Sequence, residues 1–326
     1  MANNILVTGA DGFIGSHLVE ALVRGGERVA ALAHYNATGN IGNLEYLDRD
    51  VLESVEIRFG DVCDAEFMAE AIKKADVVFH LAALIAIPYS YEAPRSYLDV
   101  NAGGTLNVLE AVHRGGHARV VLTSTSEVYG SAKTVPITEN HPLQAQSPYS
   151  ATKIAAEKLA ESFHRSFETP VVVIRPFNTF GPRQSARAFI PTVIRQALGG
   201  GPVHLGLTTP VRDLTYVSDT VSGLIAAGKA TDLAGDVFNL GTGQGFSVGD
   251  VAKTILRLMG SSSEVVLDQR RIRPAGSEVD RLISDNSKFR QRTGWFPQVS
   301  LEEGLQLTIE FFKKHATALP PEVYVR

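Results

Sequence analysis

Two stretches of this chain hold side chains whose types and spacing could do chemistry. The first is Tyr149-Ser150-Ala151-Thr152-Lys153, at the start of an evident helix. An i, i+4 pair shares one helical face, so the Lys153 ammonium can lie beside the Tyr149 phenol. A neighbouring cation favours phenolate, lowers the tyrosine pKa and makes a usable base near neutral pH. The spacing alone arises by chance on many surface helices. Its weight comes from its place, on the helix after the fifth strand. The second stretch is Leu122-Thr123-Ser124-Thr125-Ser126-Glu127-Val128-Tyr129-Gly130, which closes that strand. Open parallel sheets put their chemistry at the carboxyl ends of strands. Glu127 is a candidate base there, with Thr125 and Ser126 as hydroxyl partners; otherwise it is a solvated loop residue or an ion-pair member.

A third stretch suits a cofactor. Thr8-Gly9-Ala10-Asp11-Gly12-Phe13-Ile14-Gly15 follows the first strand and opens a helix. Gly9, Gly12 and Gly15 allow a tight turn, close backbone approach to a pyrophosphate, and close helix-on-strand packing. The pyrophosphate would rest on unpaired N–H groups at the helix's positive end. Asp11, Phe13 and Ile14 fill the turn between the glycines. Leu81-Ala82-Ala83 ends the fourth strand in small residues that would let a dinucleotide approach.

These groups need a frame. Ile5–Val7, Val29–Leu32, Val55–Phe59, Val77–Leu81, Val120–Thr123 and Val171–Ile174 read as buried parallel strands, short and rich in branched residues. Ile14–Arg24, Ala65–Lys74, Thr105–Arg114 and Pro148–Ser166 read as the helices between them. Such alternation predicts an α/β fold of Rossmann type, a doubly wound parallel sheet. After about Arg175 glycine and proline become frequent and the alternation weakens. The expected division is a dinucleotide-binding domain, 1–175 plus 214–244, and a smaller α/β substrate domain, 176–213 plus 245–326. The tail from His315, with Pro320 and Pro321, reads as loosely ordered.

Lys and Arg number 31 against 35 Asp and Glu, a net charge of −4 with no long run of one sign. A nucleic-acid binder shows a basic stripe, so a small-molecule partner is expected instead. Cys63 is the only cysteine, which leaves no intramolecular disulfide and no cysteine-based metal site. No metal is expected. Met-Ala-Asn-Asn runs straight into Ile-Leu-Val without the basic start of a secretory signal. No apolar run approaches the roughly 20 residues that cross a bilayer. A soluble, cytoplasmic protein without membrane contact is expected.

The Gly-x-x-Gly-x-x-Gly turn, Tyr149/Lys153 and Thr125-Ser126-Glu127-Val128-Tyr129-Gly130 together resemble the extended short-chain dehydrogenase/reductases, the NAD-dependent epimerase/dehydratase family. Thr-Ser-Thr-Ser-Glu-Val-Tyr-Gly is most similar to the GDP-mannose 4,6-dehydratase pattern, where Thr-Ser-Glu replaces the Thr-Asp-Glu of the dTDP-glucose enzymes. Sugar 4-epimerases usually lack the carboxylate. The resemblance implies a nucleotide-sugar 4,6-dehydratase acting on a GDP- or UDP-linked hexose or N-acetylhexosamine, with Thr125, Ser126, Glu127, Tyr149 and Lys153 catalytic. A 4-epimerase, a 5,6-dehydratase of the same family and a non-enzymatic dinucleotide-binding regulator stay as alternatives.

It implies further residues. The NAD-preferring members place an acid at the end of the second strand, for the adenosine ribose. This chain has Ala33-His34-Tyr35-Asn36 there, with no arginine for a 2′-phosphate either. NAD is expected, with NADP open. The cofactor set comprises Gly9, Asp11, Gly12, Phe13, Ile14, Gly15, His34, Asp61, Val62, Leu81, Ala82, Ala83, Asn101, Tyr149, Lys153 and Pro176. Asp61-Val62 resembles the adenine-contacting pair, although Asp61 could equally be a helix N-cap. Asn178, Arg187, Arg212, Arg273 and Glu278 fall where the family binds a nucleotide-diphosphate sugar, and arginine's planar fork suits phosphate. Leu106, Leu109, Ala155, Ala156, Leu159 and Phe163 suggest a homodimer with paired helices, or packing within one monomer.

Overall fold

The computed structural model describes residues 3–115 and 118–315. The tail beyond His315, with Pro320 and Pro321, lies outside the described residues. Branched apolar runs form strands β1 Asn4–Thr8, β2 Arg28–His34, β3 Glu56–Gly60, β4 Val77–His80, β5 Arg119–Thr123 and β6 Val171–Pro176. Shorter strands follow: β7 Asn178–Phe180, β8 Val203–Leu205, β9 Val211–Arg212, β10 Leu214–Tyr216, β11 Val237–Leu240, β12 Phe246–Ser247, β13 Val265–Leu267 and β14 Arg281–Leu282. Among the described residues, seven strands make one sheet in the order β11-β6-β5-β4-β1-β2-β3. Every pairing in it is parallel. The order reverses between β1 and β4, and that opens a crevice at their carboxyl ends.

The helices are α1 Phe13–Arg24, α2 Arg49–Glu53, α3 Ala65–Ile72, α4 Ile87–Glu92, α5 Pro94–Tyr97, α6 Gly104–Gly115 and α7 Pro148–Phe167. Beyond them come α8 Phe189–Leu198, α9 Val217–Lys229, α10 Val248–Met259, α11 Ser287–Thr293 and α12 Leu301–Lys314. Alternate residues of each strand face opposite layers, so Ile5 and Val7 join one core and Leu6 the other. Leu18, Leu22, Val221 and Leu224 of α1 and α9 fill the first core. Met68, Val108, Val112 and Phe163 of α3, α6 and α7 fill the second. Because both faces are covered, the inner strands such as β4 and β6 are buried along their length, whereas the edge strand β3 carries Glu56 and Arg58. The first core continues without a break through Ile190 and Ile194 of α8, Ile255 of α10 and Ile309 of α12.

Local chemistry sets the element ends. Ser147 and Ser150 form a reciprocal capping box at α7, and Pro148 fills its first turn. Glu168, in the left-handed region at φ 57°, ends that helix. The fourth strand was expected to include Leu81, but it stops at His80. The Thr8 hydroxyl captures the next two N–H groups, from Leu81 at 3.2 Å and Ala82 at 3.1 Å. Leu81 N–H is shared with the Thr8 carbonyl, also at 3.2 Å, so the hydroxyl takes over from the ladder only at Ala82, and Leu81–Ala83 run as connection. Leu109, Ala156 and Phe163 are buried within the single chain, so packing inside the monomer accounts for that part of the apolar pattern. No helix among the described residues is long and apolar enough to cross a membrane.

Candidate active site

The glycine turn is built for close approach. Gly9 has φ +67°, and a Cβ there would come within 2.8 Å of the Ala82 nitrogen. A Cβ on Gly15 would lie 2.0 Å from the Gly9 carbonyl oxygen. Gly12 caps α1 with no side-chain acceptor, so the first-turn N–H groups are left for a ligand. A diphosphate fits that donor set, and the residues present suit a dinucleotide. Phe13 and Ile14 begin α1, and Pro176 is buried at the end of β6. Ala82 and Ala83 are half-buried beside the turn.

Other expected cofactor residues divide. Asp11 accepts from the His34 backbone N–H at 3.1 Å, which brings its carboxylate to the end of β2, while the His34 residue is exposed. Asp61 is not the N-cap of α3. Asp64 is, accepting from Phe67 at 3.0 Å, whereas Asp61 bonds Cys63 N at 2.9 Å. Asp64 is the residue directly before the helix, which is why it captures that role. Val62 is buried against Gly104. Asn101 is also buried, and its amide holds Leu84 by both backbone groups, at 2.8 and 3.0 Å, and Thr152 at 3.0 Å. It ties the connection after β4 to α7.

At the sheet's carboxyl edge, β5 delivers Thr125–Glu127 and α7 delivers Tyr149 and Lys153. Thr125 accepts from Glu127 N–H at 3.2 Å and hydrogen-bonds the Tyr149 phenol. Ser126, Tyr149 and Lys153 are buried, and Glu127 is half-buried. One expectation is corrected here: Lys153 does not lower the Tyr149 pKa, since its Nζ donates to the Thr123 carbonyl at 2.7 Å and the phenol is held above its ordinary value. An ammonium sealed from water needs a strong acceptor, and the carbonyl at the strand end supplies one. Burial pushes Lys153 down to about 8, with Glu157 opposing. Burial likewise raises the Tyr149 phenol above its ordinary value. The Thr125 hydrogen bond opposes that rise, while Glu127 and Tyr97 add to it.

Facing this group is a charged bank. Arg212 is buried, its Nη2 lies 3.5 Å from Glu278 Oε1, and Glu127 and Arg273 both act on it electrostatically. Burial holds the Arg212 pKa below the usual guanidinium value. Arg273 Nη1 and Asn178 Oδ1 are buried polar atoms with no hydrogen-bond partner, which suits them to a ligand. Arg187 is an exposed residue on the loop before α8 and bonds Ser185 at 3.2 Å.

A polar network beneath the site was not anticipated. Arg175 grips Glu157 through two bonds, at 2.6 and 2.9 Å, and Ser124 also bonds Glu157. Arg175 reaches the Tyr129 hydroxyl at 2.8 Å, and that hydroxyl donates to Asn239 at 2.6 Å. This clamps both ends of the Ser124–Tyr129 segment to β6 and β11. The available signal was an arginine closing the otherwise apolar run Val171–Pro176. Tyr97, edge-on to Tyr149 at 6.3 Å between ring centres, carried no such signal.

A dinucleotide-type crevice with a tyrosine, a lysine and a carboxylate at its mouth defines a short-chain dehydrogenase/reductase. A family model described as GDP-mannose 4,6 dehydratase matches residues 6–308, and the chain belongs to that family, within the NAD-dependent epimerase/dehydratases. It is 34% identical to a dTDP-glucose 4,6-dehydratase of Streptomyces griseus, over 99% of this chain and 98% of that one. The solved UDP-glucose 4-epimerase of Thermotoga maritima, with UDP-glucose, is 33% identical. It superposes with a TM-score of 0.86 over 95% of this chain and 99% of its own. The dTDP-glucose 4,6-dehydratase of Bacillus anthracis, in complex with NAD, is 30% identical with a TM-score of 0.84, over 96% and 97%. Both reactions thus occur among relatives of comparable similarity.

Proposed function

We propose that this enzyme is a nucleotide-sugar 4,6-dehydratase, converting a nucleoside-diphosphate hexose or N-acetylhexosamine to its 4-keto-6-deoxy form. The observation that carries the reading is Glu127, half-buried and electrostatically coupled to both Tyr149 and Arg212. An epimerase needs Tyr149 and Lys153 but has no use for a carboxylate at this point. The crevice residues would hold NAD, with the diphosphate on the Gly9–Gly15 turn. Hydride acceptance from the sugar C4, and its return to C6, is the chemistry that bound NAD supplies.

The side chains do the rest. Tyr149 takes the proton of the 4-hydroxyl, with Thr125 hydrogen-bonded to it and Lys153 supplying positive charge from the same helical face. The 4-ketone acidifies C5–H. Glu127 removes that proton and delivers it, directly or through Ser126, to the C6 hydroxyl, which departs as water; C5 then takes back one proton, balancing the one that Tyr149 accepted. Arg212, Arg273 and Asn178 bind the sugar diphosphate, and the described residues 176–213 and 245–315 form the sugar-nucleotide side of the site.

The test is incubation with UDP-GlcNAc, GDP-GlcNAc, GDP-mannose, UDP-glucose and dTDP-glucose, followed by mass spectrometry. A product lighter by one water that traps a carbonyl reagent is expected from one of them. Glu127→Gln should slow water loss by about 10²–10⁴. Unchanged mass with an altered sugar NMR spectrum would make the enzyme an epimerase and leave Glu127 without this role.

A further inference from the structure

A cofactor with a free ribose diol and one carrying a 2′-phosphate differ at one place in such a crevice, the carboxyl end of β2. Selection there needs either an acceptor for two hydroxyls or a cation for a phosphate. Strand β2 itself offers neither. It ends Ala33-His34, and the residues after it are the exposed Tyr35 and then Asn36. Both ends of the Asn36 amide are committed to its own loop. Its oxygen accepts from Thr38 at 2.7 Å and Asn40 at 2.9 Å. Its nitrogen donates to Asn40 O at 2.8 Å and His34 O at 3.2 Å.

A carboxylate nevertheless stands at this point, delivered from another element. Asp11, in the glycine turn, reaches across to the His34 N–H and is fixed by it at 3.1 Å through one oxygen, Oδ2. The loop is folded against it. Asn43 N–H donates to the Asp11 carbonyl at 2.9 Å, and a Cβ on Gly42 would lie 2.6 Å from that same oxygen. The neighbouring strand presents Arg58 opposite Leu32, but its guanidinium is engaged by Glu56 at 2.8 Å and the Ala71 carbonyl at 3.2 Å. The charge facing a 2′-substituent at the β2 end is therefore negative.

Resting on the reading above that the crevice takes a nicotinamide dinucleotide, we propose that Asp11 is the residue that selects NAD over NADP. Its carboxylate accepts from the adenosine ribose hydroxyls and repels a 2′-phosphate. The acid that other sheets place at the end of β2 is here supplied by the glycine turn.

The test is direct binding to protein stripped of nucleotide, by equilibrium dialysis with NAD and with NADP, for wild type, Asp11→Asn and Asp11→Ser. Asn keeps an oxygen for the His34 N–H and removes the charge; Ser removes the charge and is too short to keep that bond, and circular dichroism checks that each is folded. Wild type should favour NAD. Each folded variant should shift the NAD-to-NADP affinity ratio by about tenfold or more, weakening NAD and relieving NADP. If wild type binds NAD and the ratio in the folded variants moves less than about twofold, Asp11 is not the selector. A wild-type preference for NADP also overturns the inference. Wild type that binds neither nucleotide overturns the function proposed above instead.

Discussion

Lys153 shows how burial reshapes a group that the sequence presents as a plain cation. Its folded pKa is about 8 against an ordinary 10.5, chiefly because the ammonium is desolvated. The unfolded chain therefore holds more protons between those values, and stability rises with pH across that window. The gain amounts to about 3 kcal/mol once pH exceeds 10.5. Chemical denaturation of wild type and Lys153→Met at pH 7.5 and pH 10 checks this: the wild-type gain over that step should exceed that of the variant. Equal gains would mean that the ammonium is better solvated than its burial implies. Lys153 and Tyr149 were legible as a pair from their spacing. Their hydrogen bonds were not, because the acceptor for Lys153 is a carbonyl 30 residues earlier.

At the scale of elements, one histidine joins three of them. His80 Nδ1 pairs with the Thr8 hydroxyl at 2.8 Å and Nε2 with Thr105 at 3.1 Å, which locks β1, β4 and α6 beneath the crevice. Burial, with Lys153 adding to it, holds His80 down to about 3. A histidine with a lowered folded pKa loses stability as pH falls, because the unfolded chain protonates first. The loss begins near pH 6.5 and grows to about 5 kcal/mol by pH 3. His80→Gln should flatten the decline in urea midpoint between pH 7 and pH 4.5, and an unchanged slope would assign the acid lability elsewhere. The strands and principal helices were readable from hydrophobic periodicity. The end of β4 falls one residue short of its apolar run, because Leu81 N–H is shared between the Thr8 carbonyl and hydroxyl and Ala82 N–H goes to that hydroxyl, a side chain of another strand.

Across the whole molecule, Asp213 holds together segments far apart in sequence. It is fully buried and accepts from Thr242 N–H and hydroxyl at 2.8 and 2.6 Å, and from Gly243 N–H at 2.9 Å. Ser284 N–H and hydroxyl add bonds at 3.1 and 2.6 Å. Asp213→Ala would strand these donors and should lower unfolding free energy by about 3–5 kcal/mol in urea titration. A loss under about 1 kcal/mol would show that water replaces the carboxylate. Asp213 neighbours Arg212 in sequence, so this anchoring also fixes the backbone that carries the expected diphosphate ligand.

Short-range patterning was enough for the strand and helix periodicity, the glycine turn, and the i, i+4 pair on α7. Those signals depend on residues within a few positions of one another, and propensity and patterning act at that range. Tertiary structure decided which groups meet. It brought Glu127, Arg212, Arg273 and Glu278 into one electrostatic neighbourhood from three separate stretches. It buried Arg175 with Glu157, and it carried Asp11 to the end of β2. Each of those outcomes turns on desolvation and on hydrogen bonds across the sheet edge, and both arise only after the strand order is set.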